Sequence, residues 1–502
     1  MTFLMFDKIK HSIKHTAIYS LGNIASKLVG IVLLPIYTTH FSVSEFGILG
    51  ILEVSIMILT QVFLLGLPNA FLRFYGEAED VHRKKSILFT ISIFLLGISV
   101  AILSVGLISA DHIASFFAEK ERFSQYFNLM FIIIFLRTLN YFFLSVLRAN
   151  ERSALYSAGN LLKIFLTLGF NVYFVAFAQI GIIGVLYAYL IGDATLCILL
   201  LPNIISGITP NFDTEILKES LLFAFPIIFA SLGSMILQMG DRYILKLLVN
   251  YKEVGLYDLG YRFSSILNVF IINSFSLYFL PQAYKIYREK GDKRYYSKML
   301  TYFVFVLCWV GLGISLFGKE IIKTFALNSD YWPAYKIIPI VVLAYIFSGA
   351  VVVLNVGIFL KKRTKYFAYT TLLAAAFNIL VNFVLIPYYE MFGAAMATLF
   401  SFLLLFLVTY YVSQRLYFIP YEKYKIVKMV GVIVFLYSLS FLFLEFSLFW
   451  GIVIKLVLLA AFPIILYFLK FYEFAELKKI AEWTKAASIK RFILRNCKDS
   501  LM

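Results

Sequence analysis

Long apolar stretches recur along the whole chain, and short polar segments separate them. A helix that crosses a bilayer needs about 20 apolar residues, and about fourteen stretches meet this criterion. The predicted spans are 16–41, 46–72, 86–110, 123–147, 154–178, 181–205, 219–249, 255–281, 299–317, 336–360, 366–386, 392–413, 429–446 and 449–470. Only Ala178, Gln179 and Ile180 separate the fifth span from the sixth. The pattern predicts an all-α polytopic membrane protein with about 14 transmembrane helices.

Two of these spans carry a stripe of polar residues at helical spacing. Residues three and four apart share one face of a helix. The stripe of the first span comprises Ser20, Asn23, Lys27 and Gly30, and that of the seventh comprises Ser231, Ser234, Gln238 and Asp241. Similar turns follow the two stripes, Glu45-Phe46-Gly47-Ile48 and Glu253-Val254-Gly255-Leu256. The chain therefore uses a polar-striped helix hairpin twice.

The composition excludes a soluble protein. Of 502 residues, 62% are hydrophobic and only 15% are charged, and the mean hydropathy is +0.88. Such values are typical of polytopic membrane proteins. The segments between spans, the tail after residue 470 excepted, are too short for a folded domain, so we expect the function to lie within the membrane.

The net charge of +17 reflects membrane topology rather than a nucleic-acid partner. The connections 40–47 and 387–392, from odd to even spans, contain no lysine or arginine, whereas the even-to-odd connections 83–85, 285–294 and 361–363 are basic. Basic loops stay in the cytoplasm. Both termini are therefore predicted to be cytoplasmic, and the basic tail 471–502 is expected either to lie along anionic membrane lipids or to be solvated.

The two halves of the chain repeat one another. The segment 147–160 aligns in pattern with 360–373, and downstream Asn171 corresponds to Asn382 and Gly181 to Gly393. With six spans per half, the copies enter the membrane in the same sense, which defines parallel repeats with a site expected between them. The predicted domains are a six-helix lobe at 1–212, a second at 213–414, two extra helices at 415–470 and the tail at 471–502.

Charged residues inside the spans are the candidates for function. Each costs at least ~2.5–3.5 kcal/mol in hydrocarbon and should face protein or water. The basic ones are Lys27, Arg137, Lys163, Arg242, Lys246, Arg262 and Lys455, and the acidic ones are Glu53, Asp193, Asp241 and Asp258. The excess of positive charge suits an anionic ligand, because low-dielectric walls strengthen its attraction.

Some of these charges have simpler explanations. Asp258 and Arg262 are four residues apart and can pair on one helix, and Lys163 lies at a depth similar to that of Asp193 on the next span. The basic residues Arg242, Lys246 and Lys455 lie within two turns of their outer span ends and can extend to the interface.

Lys27 and Arg137 lie near the middle of their spans, where such an extension is hardest. Lys27 also belongs to the polar stripe and has no acidic neighbour on its own helix. Glu53, in the outer third of the second span, is the obvious rival partner for Lys27. A role in the lumen is the favoured interpretation for both basic residues.

Three segments resemble one known family. They are GNIASKLVGIVLLPIYTTHFSVSEFGILG (22–50), LRANERSALY (147–156) and DRYILKLLVNYKEVGLYDLGYRF (241–263). All three are similar to the Wzx-like polysaccharide-biosynthesis flippases, which belong to the multidrug/oligosaccharidyl-lipid/polysaccharide exporter superfamily. The likeness extends over essentially the whole chain. It implies two six-helix lobes in a V shape around a central cavity, working by alternating access in the cytoplasmic (inner) membrane.

The implied cargo is a polyprenyl-pyrophosphate-linked oligosaccharide, with a polysaccharide polymerase as a candidate partner. A cationic cavity holds the pyrophosphate in such proteins. The expected substrate-binding residues are Lys27, Arg137, Arg262, Arg242, Asn23 and Gln238, and the candidates for coupling to Na⁺ or H⁺ are Glu53, Asp193 and Asp241. No other cofactor and no metal site is expected.

Other functions fit the residues less well. A lipid II flippase is disfavoured by Glu53, which stands where a basic residue is expected, and a drug exporter of the same superfamily would favour acidic cavity residues. A membrane glycosyltransferase or polymerase would need a sizeable outer loop, and the lipid-sugar transferases an acidic pair in the first one, which offers only Glu45. A structural membrane protein would not need so many intramembrane charges. We expect a transporter rather than an enzyme.

Overall fold

The computed structural model describes residues 30, 32–115, 120–207, 209–289, 291–443 and 448–473. Within these ranges the secondary structure is helical and contains no strand. Most of the first predicted span, with Asn23 and Lys27, lies outside the described residues, as does most of the predicted tail.

Eleven α-helices precede the basic connection near residue 290 in the described part of the chain. They are α1 (Leu34–His40), α2 (Val43–Leu64), α3 (Leu67–Glu77), α4 (Val81–Ala114), α5 (Lys120–Ala149), α6 (Ser153–Val172), α7 (Ile182–Ile205), α8 (Thr214–Met239), α9 (Asp241–Leu248), α10 (Tyr251–Ser264) and α11 (Asn273–Lys285). One π-helical stretch, Tyr173–Phe177, extends α6, and another, Leu267–Ile272, lies between α10 and α11.

Seven further α-helices follow in the described residues. They are α12 (Asp292–Leu316), α13 (Gly318–Phe325), α14 (Ile338–Leu354), α15 (Val356–Leu360), α16 (Lys365–Leu416), α17 (Lys423–Ser440) and α18 (Leu448–Phe468). The 3-10 segment Ser329–Ile337 precedes α14, and a second one, Phe441–Phe443, follows α17.

Twelve helical segments of the described chain are long and apolar enough to cross a membrane. One of them, α16, contains the eleventh and twelfth predicted spans, which meet at Glu390, where the backbone leaves helical geometry (φ 49°, ψ −127°). The twelve segments thus correspond to the second to the fourteenth predicted spans. The prediction of an all-α polytopic membrane protein is confirmed.

The short division between the fifth and sixth spans is also confirmed. The helix ends at Phe177, Gln179 adopts φ 51°, and α7 begins after Gly181 at φ 68°. Residues that tolerate a positive φ break a helix sharply. Gly181 and Gly393, which correspond in the two predicted repeats, therefore both lie close after a break with a left-handed residue.

Two predicted span boundaries are wrong. The span 46–72 ends at Leu64, because Leu65 and Gly66 take positive φ and Pro68 lies in the first turn of the next helix. Proline is favoured there, since its missing N–H needs no partner. The span 219–249 divides after Met239 into α8 and α9. In the first case the apolar composition continues through a backbone break. In the second, Gly240 keeps helical angles (φ −66°, ψ −27°) and the helix is interrupted at this single residue. Hydropathy alone extends both spans.

The contacts divide the described chain into two compact units. The first combines the described parts of 1–285 and 318–418, and the second those of 286–317 and 419–502. The lobe boundaries inferred from the repeat remain a prediction.

The second unit is tied together by ion pairs at one end. Lys298 Nζ lies 3.0 Å from Glu422 Oε1 and also contacts Glu473, while Lys425 Nζ lies 2.9 Å from the same Glu422 oxygen. Thr301 Oγ1 donates to Glu422 Oε2 over 2.7 Å. Burial raises the pKa of Glu422, but the hydrogen bonds from Thr301, Lys425 and Lys298 hold it below its ordinary value. These contacts join α12 to the start of α17 and to the chain after α18.

Within the first unit, α2 and α10 meet backbone to backbone. A Cβ atom added to Gly47 would overlap with the carbonyl oxygen of Tyr251, and one added to Gly255 would overlap with that of Val43. We call this pair the glycine contact. Its two glycines are those of the repeated turn, and it joins the two predicted lobes at the ends of α2 and α10 predicted to face outward. Nearby, the Tyr331 hydroxyl donates to the carbonyl of Phe41 over 3.0 Å.

We expect Gly255→Ala to open the glycine contact, because overpacking of this kind costs ~1–3 kcal/mol. The measurement is the labelling rate of a cysteine introduced at buried Val254, in a chain without native cysteines, by an impermeant maleimide added to intact cells. Gly169→Ala on α6 is the control, because its Cβ would meet no atom within 4 Å. Faster labelling is expected only for Gly255→Ala. Equal rates in the two variants would contradict the contact, and labelling only after the cells are broken would reverse the orientation.

Candidate functional site

The first cluster of buried charge surrounds Asp193 of α7, whose side chain is fully buried. Arg137 of α5 donates to Asp193 Oδ2 from Nε at 3.2 Å and from Nη2 at 3.1 Å. Lys163 of α6 contacts Oδ1, and Asn140 Nδ2 lies 3.2 Å from the same oxygen. One carboxylate thus holds two cations from different helices, and this cluster carries a net positive charge.

A second cluster lies on α9 and α10. Asp258 accepts from Arg242 Nε at 2.8 Å and from Arg262 Nε at 2.6 Å, so it is clamped between two arginines. Arg242 Nη1 also lies 3.2 Å from Asp241 Oδ1. The other oxygen of Asp241 accepts from the hydroxyls of Tyr257 and of Thr398, the latter at 3.1 Å.

Glu53 of α2 connects the two clusters. Its Oε2 lies 2.5 Å from Arg262 Nη2, and its Oε1 accepts from the hydroxyl of Tyr189 at 2.5 Å. The guanidinium of Arg137 lies 5.7 Å from the centre of the Tyr189 ring, within the range of a cation–π contact. We call the set Lys163, Asp193, Arg137, Glu53, Arg262, Asp258, Arg242 and Asp241 the charged network.

The more exposed side chains of the charged network are mostly basic. The side chains of Lys163, Arg262 and Arg137 are 23%, 22% and 18% exposed, whereas Asp193 is fully buried and Asp258 is 5% exposed. Glu53, at 21%, is the acidic member of comparable exposure. An anion that reaches these exposed groups meets mostly cations, whose counter-ions, Glu53 excepted, are more deeply buried.

The charged network lies between the glycine contact and a cavity. Along α2, Gly47 precedes Glu53 by six residues and Gln61 follows it by eight, which corresponds to ~9 Å and ~12 Å of helix rise. Gln61 lines a cavity of about 750 Å³, together with Ser231, Ser234, Thr364 and Lys365. The cavity adjoins the basic connection 361–363 and is therefore on the predicted cytoplasmic side. Its polar lining consists of an amide, hydroxyl groups and one ammonium group.

Two pairings expected from the sequence are present. Arg262 pairs with Asp258 on one helix, and Lys163 contacts Asp193. Arg137, expected to face a lumen, is only 18% exposed and shares Asp193 with Lys163.

The placement of other candidates differs from expectation. The extension of Arg242 to the interface is wrong, because the side chain is 4% exposed and binds Asp241 and Asp258. Gln238 is half-buried and donates from Nε2 to the Ser234 hydroxyl at 3.1 Å, within its own helix. Glu53, the suggested partner of Lys27, pairs with Arg262. The substrate-binding and coupling roles of all these residues remain predictions, and Asn23 and Lys27 lie outside the described residues.

Sequence reasoning missed the two tyrosines that donate hydrogen bonds to the charged network, Tyr189 to Glu53 and Tyr257 to Asp241. Tyr189 lies one helical turn before Asp193, and Tyr257 lies one residue before Asp258. A tyrosine one turn from a buried acid is a weak signal in a chain with 34 tyrosines, which is why the sequence does not reveal it. Among the described residues, no group of three histidine, cysteine or acidic side chains is placed to bind a metal ion.

The family of this chain follows from its match to a known family model. A family model described as "Polysaccharide biosynthesis protein" matches residues 12–282, more than half of the chain. The chain belongs to this family. A search of curated protein sequences found no match.

Solved structures of membrane transporters share the fold of this polysaccharide biosynthesis family member. The lipid II flippase MurJ in an inward closed conformation aligns with a TM-score of 0.74 and 17% identity, over 89% of this chain and 98% of that one. An inward-facing multidrug resistance MATE family transporter of the MOP superfamily aligns with a TM-score of 0.64 and 14% identity, over 82% and 96%. A mutant of the Vibrio cholerae MATE transporter VcmN aligns with a TM-score of 0.59 and 14% identity, over 81% and 96%. At these identities the likeness concerns the fold.

We expect Asp193→Asn to destabilise the protein by ~3–5 kcal/mol, because removing one partner leaves buried charges uncompensated. Adding Lys163→Gln should restore part of the loss, since the uncharged amide would then face one cation instead of two. Thermal unfolding of purified protein, followed by gel filtration, is the measurement. Glu77→Gln, which breaks the exposed pair with Arg73, is the control and should change little. A double variant no more stable than Asp193→Asn would show that the shared carboxylate is not what stabilises these helices.

Proposed function

We propose that this protein is a flippase, which moves a polyprenyl-pyrophosphate-linked oligosaccharide across the cytoplasmic membrane for the assembly of a cell-surface polysaccharide. The observation that carries the proposal is the charged network, placed between a closed contact at one end of α2 and, at the other, a cavity that has polar groups in a mostly apolar lining. Membership of the polysaccharide biosynthesis family and the fold shared with transporters support it.

The charges of the network suit a pyrophosphate group. Arg262 and Arg137 present guanidinium groups, which bind phosphate oxygens through paired hydrogen bonds. Their exposed fractions of 22% and 18% leave part of each group available, while the buried acids Asp258 and Asp193 hold them in place. A neutral or cationic drug would gain nothing from this arrangement, which favours the flippase over a drug exporter.

The cavity suits the sugars of the same cargo. Gln61, Ser231, Ser234 and Thr364 offer hydrogen-bonding groups to sugar hydroxyls, and a volume of about 750 Å³ is within the usual range for ligand sites. The cavity opens near the predicted cytoplasmic side, where the lipid-linked sugar is made. The glycine contact closes the opposite end, as alternating access requires of a state that receives cargo from the cytoplasm.

We further propose that Asp241 is the site of cation coupling. It is fully buried, and its charge is shared with Arg242 and two hydroxyl groups, whereas Asp193 is already held by two cations. Asp241→Asn should abolish the dependence of transport in proteoliposomes on a Na⁺ or H⁺ gradient. Asp111→Asn, at an exposed position of α4, is the control. Retained gradient dependence in Asp241→Asn would refute the assignment.

The central test compares glycan export by cells carrying Arg262→Ala, Arg262→Lys and wild type at matched protein levels. We expect Arg262→Ala to reduce export at least ~10-fold and Arg262→Lys to retain part of it, because a lysine keeps the charge without the paired geometry. Arg415→Ala, at an exposed helix end, is the control and should export normally. Normal export by well-expressed Arg262→Ala would contradict the proposal. Rescue of cells depleted of their lipid II flippase, without any effect on glycan export, would favour lipid II as cargo.

A further inference from the structure

We infer that the carboxylate of Glu53 occupies, in the cargo-free protein, the place on Arg262 that a phosphate group of the cargo takes later. Glu53 would then act as a built-in competitor for anions, and its displacement would release the ion pair that joins the two predicted lobes. This inference rests on the proposed function and assigns Glu53 the role of selecting anionic cargo and coupling its binding to lobe separation.

The two carboxylates on Arg262 are not equivalent. Asp258 lies one turn away on the same helix, is 5% exposed and is also held by Arg242 at 2.8 Å. Glu53 comes from α2, is 21% exposed and binds Arg262 through Nη2. Asp258 is therefore the permanent counter-ion and orients the guanidinium. Glu53 is the partner that can leave without moving α10.

The surroundings of Arg262 also favour exchange over a permanent pair. The guanidinium lies 5.2 Å from the centre of the Phe46 ring, so α2 covers part of it with an aromatic face. A phosphate group carries more acceptor oxygens than a carboxylate and binds arginine in the same bidentate manner. A pyrophosphate that reaches Arg262 would therefore compete directly with Glu53 for the Nη atoms, and a neutral lipid would not.

Displacement of Glu53 acts on the helices that form the glycine contact. Glu53 lies six residues along α2 from Gly47, and Arg262 lies seven residues along α10 from Gly255. Once an anion binds Arg262, the like charge of Glu53 is repelled inside a low-dielectric interior. The hydrogen bond from Tyr189 keeps Glu53 with the first lobe. The repulsion therefore pushes α2 away from α10, and cargo binding favours the separated state by its differential affinity.

The experiment uses the full chain purified in detergent, with inorganic pyrophosphate as the probe and calorimetry as the measurement. We expect Glu53→Gln to bind pyrophosphate about 10-fold more tightly than wild type, because the competing charge is gone. Glu45→Gln is the matched control. Glu45 is also on α2 and pairs with an arginine at 2.6 Å, but this arginine, Arg122 of α5, belongs to the same predicted lobe as Glu45. Its affinity should equal that of wild type.

The second readout is the labelling rate of a cysteine at Val254. Pyrophosphate should increase this rate in wild type, whereas Glu53→Gln should show an increased rate without it. Glu53→Asp, which withdraws the carboxylate by one methylene group, provides the same test if Glu53→Gln fails to fold, with an intermediate affinity expected. Unchanged or weaker binding in these variants would overturn the inference.

The outcomes separate this inference from the proposed function. If wild type and Glu53→Gln bind pyrophosphate equally well, Glu53 does not compete with anions, and the proposed flippase function is unaffected. Absence of binding in wild type and in Glu53→Gln counts against both. If Glu53→Gln binds pyrophosphate and wild type does not, the inference is supported, because Glu53 then excludes the probe from Arg262 completely.

Discussion

A charge inside a membrane-spanning bundle needs a compensating group from the protein, because the hydrocarbon offers none. This constraint decides which helices of the first unit must meet. Asp193 draws together α5, α6 and α7, since it serves cations from two of them. Asp258 holds the arginines of α9 and α10. Glu53 brings α2 to the same place and closes the series. The packing of apolar side chains fills the space between helices, but the carboxylates determine their neighbours, because lipid-facing apolar surfaces do not discriminate between partners.

Two of the contacts between the predicted lobes differ in kind. The glycine contact brings backbones together through shape, and when it separates it leaves no unpaired charge. The pair of Glu53 with Arg262 cannot separate in the same way, because Glu53 would lose its cationic partner in a poorly solvated place, although Arg262 would keep Asp258. The first contact is therefore reversible by small movements, and the second requires water or another ion to replace the lost partner. A protein built with both has a barrier to lobe separation whose height depends on which ion or water replaces Glu53 at Arg262.

Much of the fold follows from the sequence, and less of the site does. Apolar runs of about 20 residues predict the helical class, and Gly181 marks the narrow division between two spans. Hydropathy misses the end of the second span because Gly66 and Pro68 break the backbone inside an apolar run. It misplaces Arg242 because depth along one helix does not show that Asp258 of α10 lies opposite this residue. The pairing of Glu53 with Arg262 joins residues 209 positions apart. Spacing along one helix gives the face and depth of a residue, but not the identity of the helix opposite.

The sharing of Asp193 between two cations has a consequence for how the chain is made. Helices leave the translocation channel in order of synthesis, so Arg137 reaches the bilayer before its carboxylate has been translated. Lys163 follows on the next span, and both basic helices precede α7. Two routes are then open. Either α5 and α6 stay beside the channel until α7 with Asp193 has been made, or they enter the bilayer with their basic side chains at the interface and move deeper once Asp193 is present. Membrane insertion of this segment is thus a collective event, and a ribosome pause after α7 would help it more than a pause after either of its predecessors.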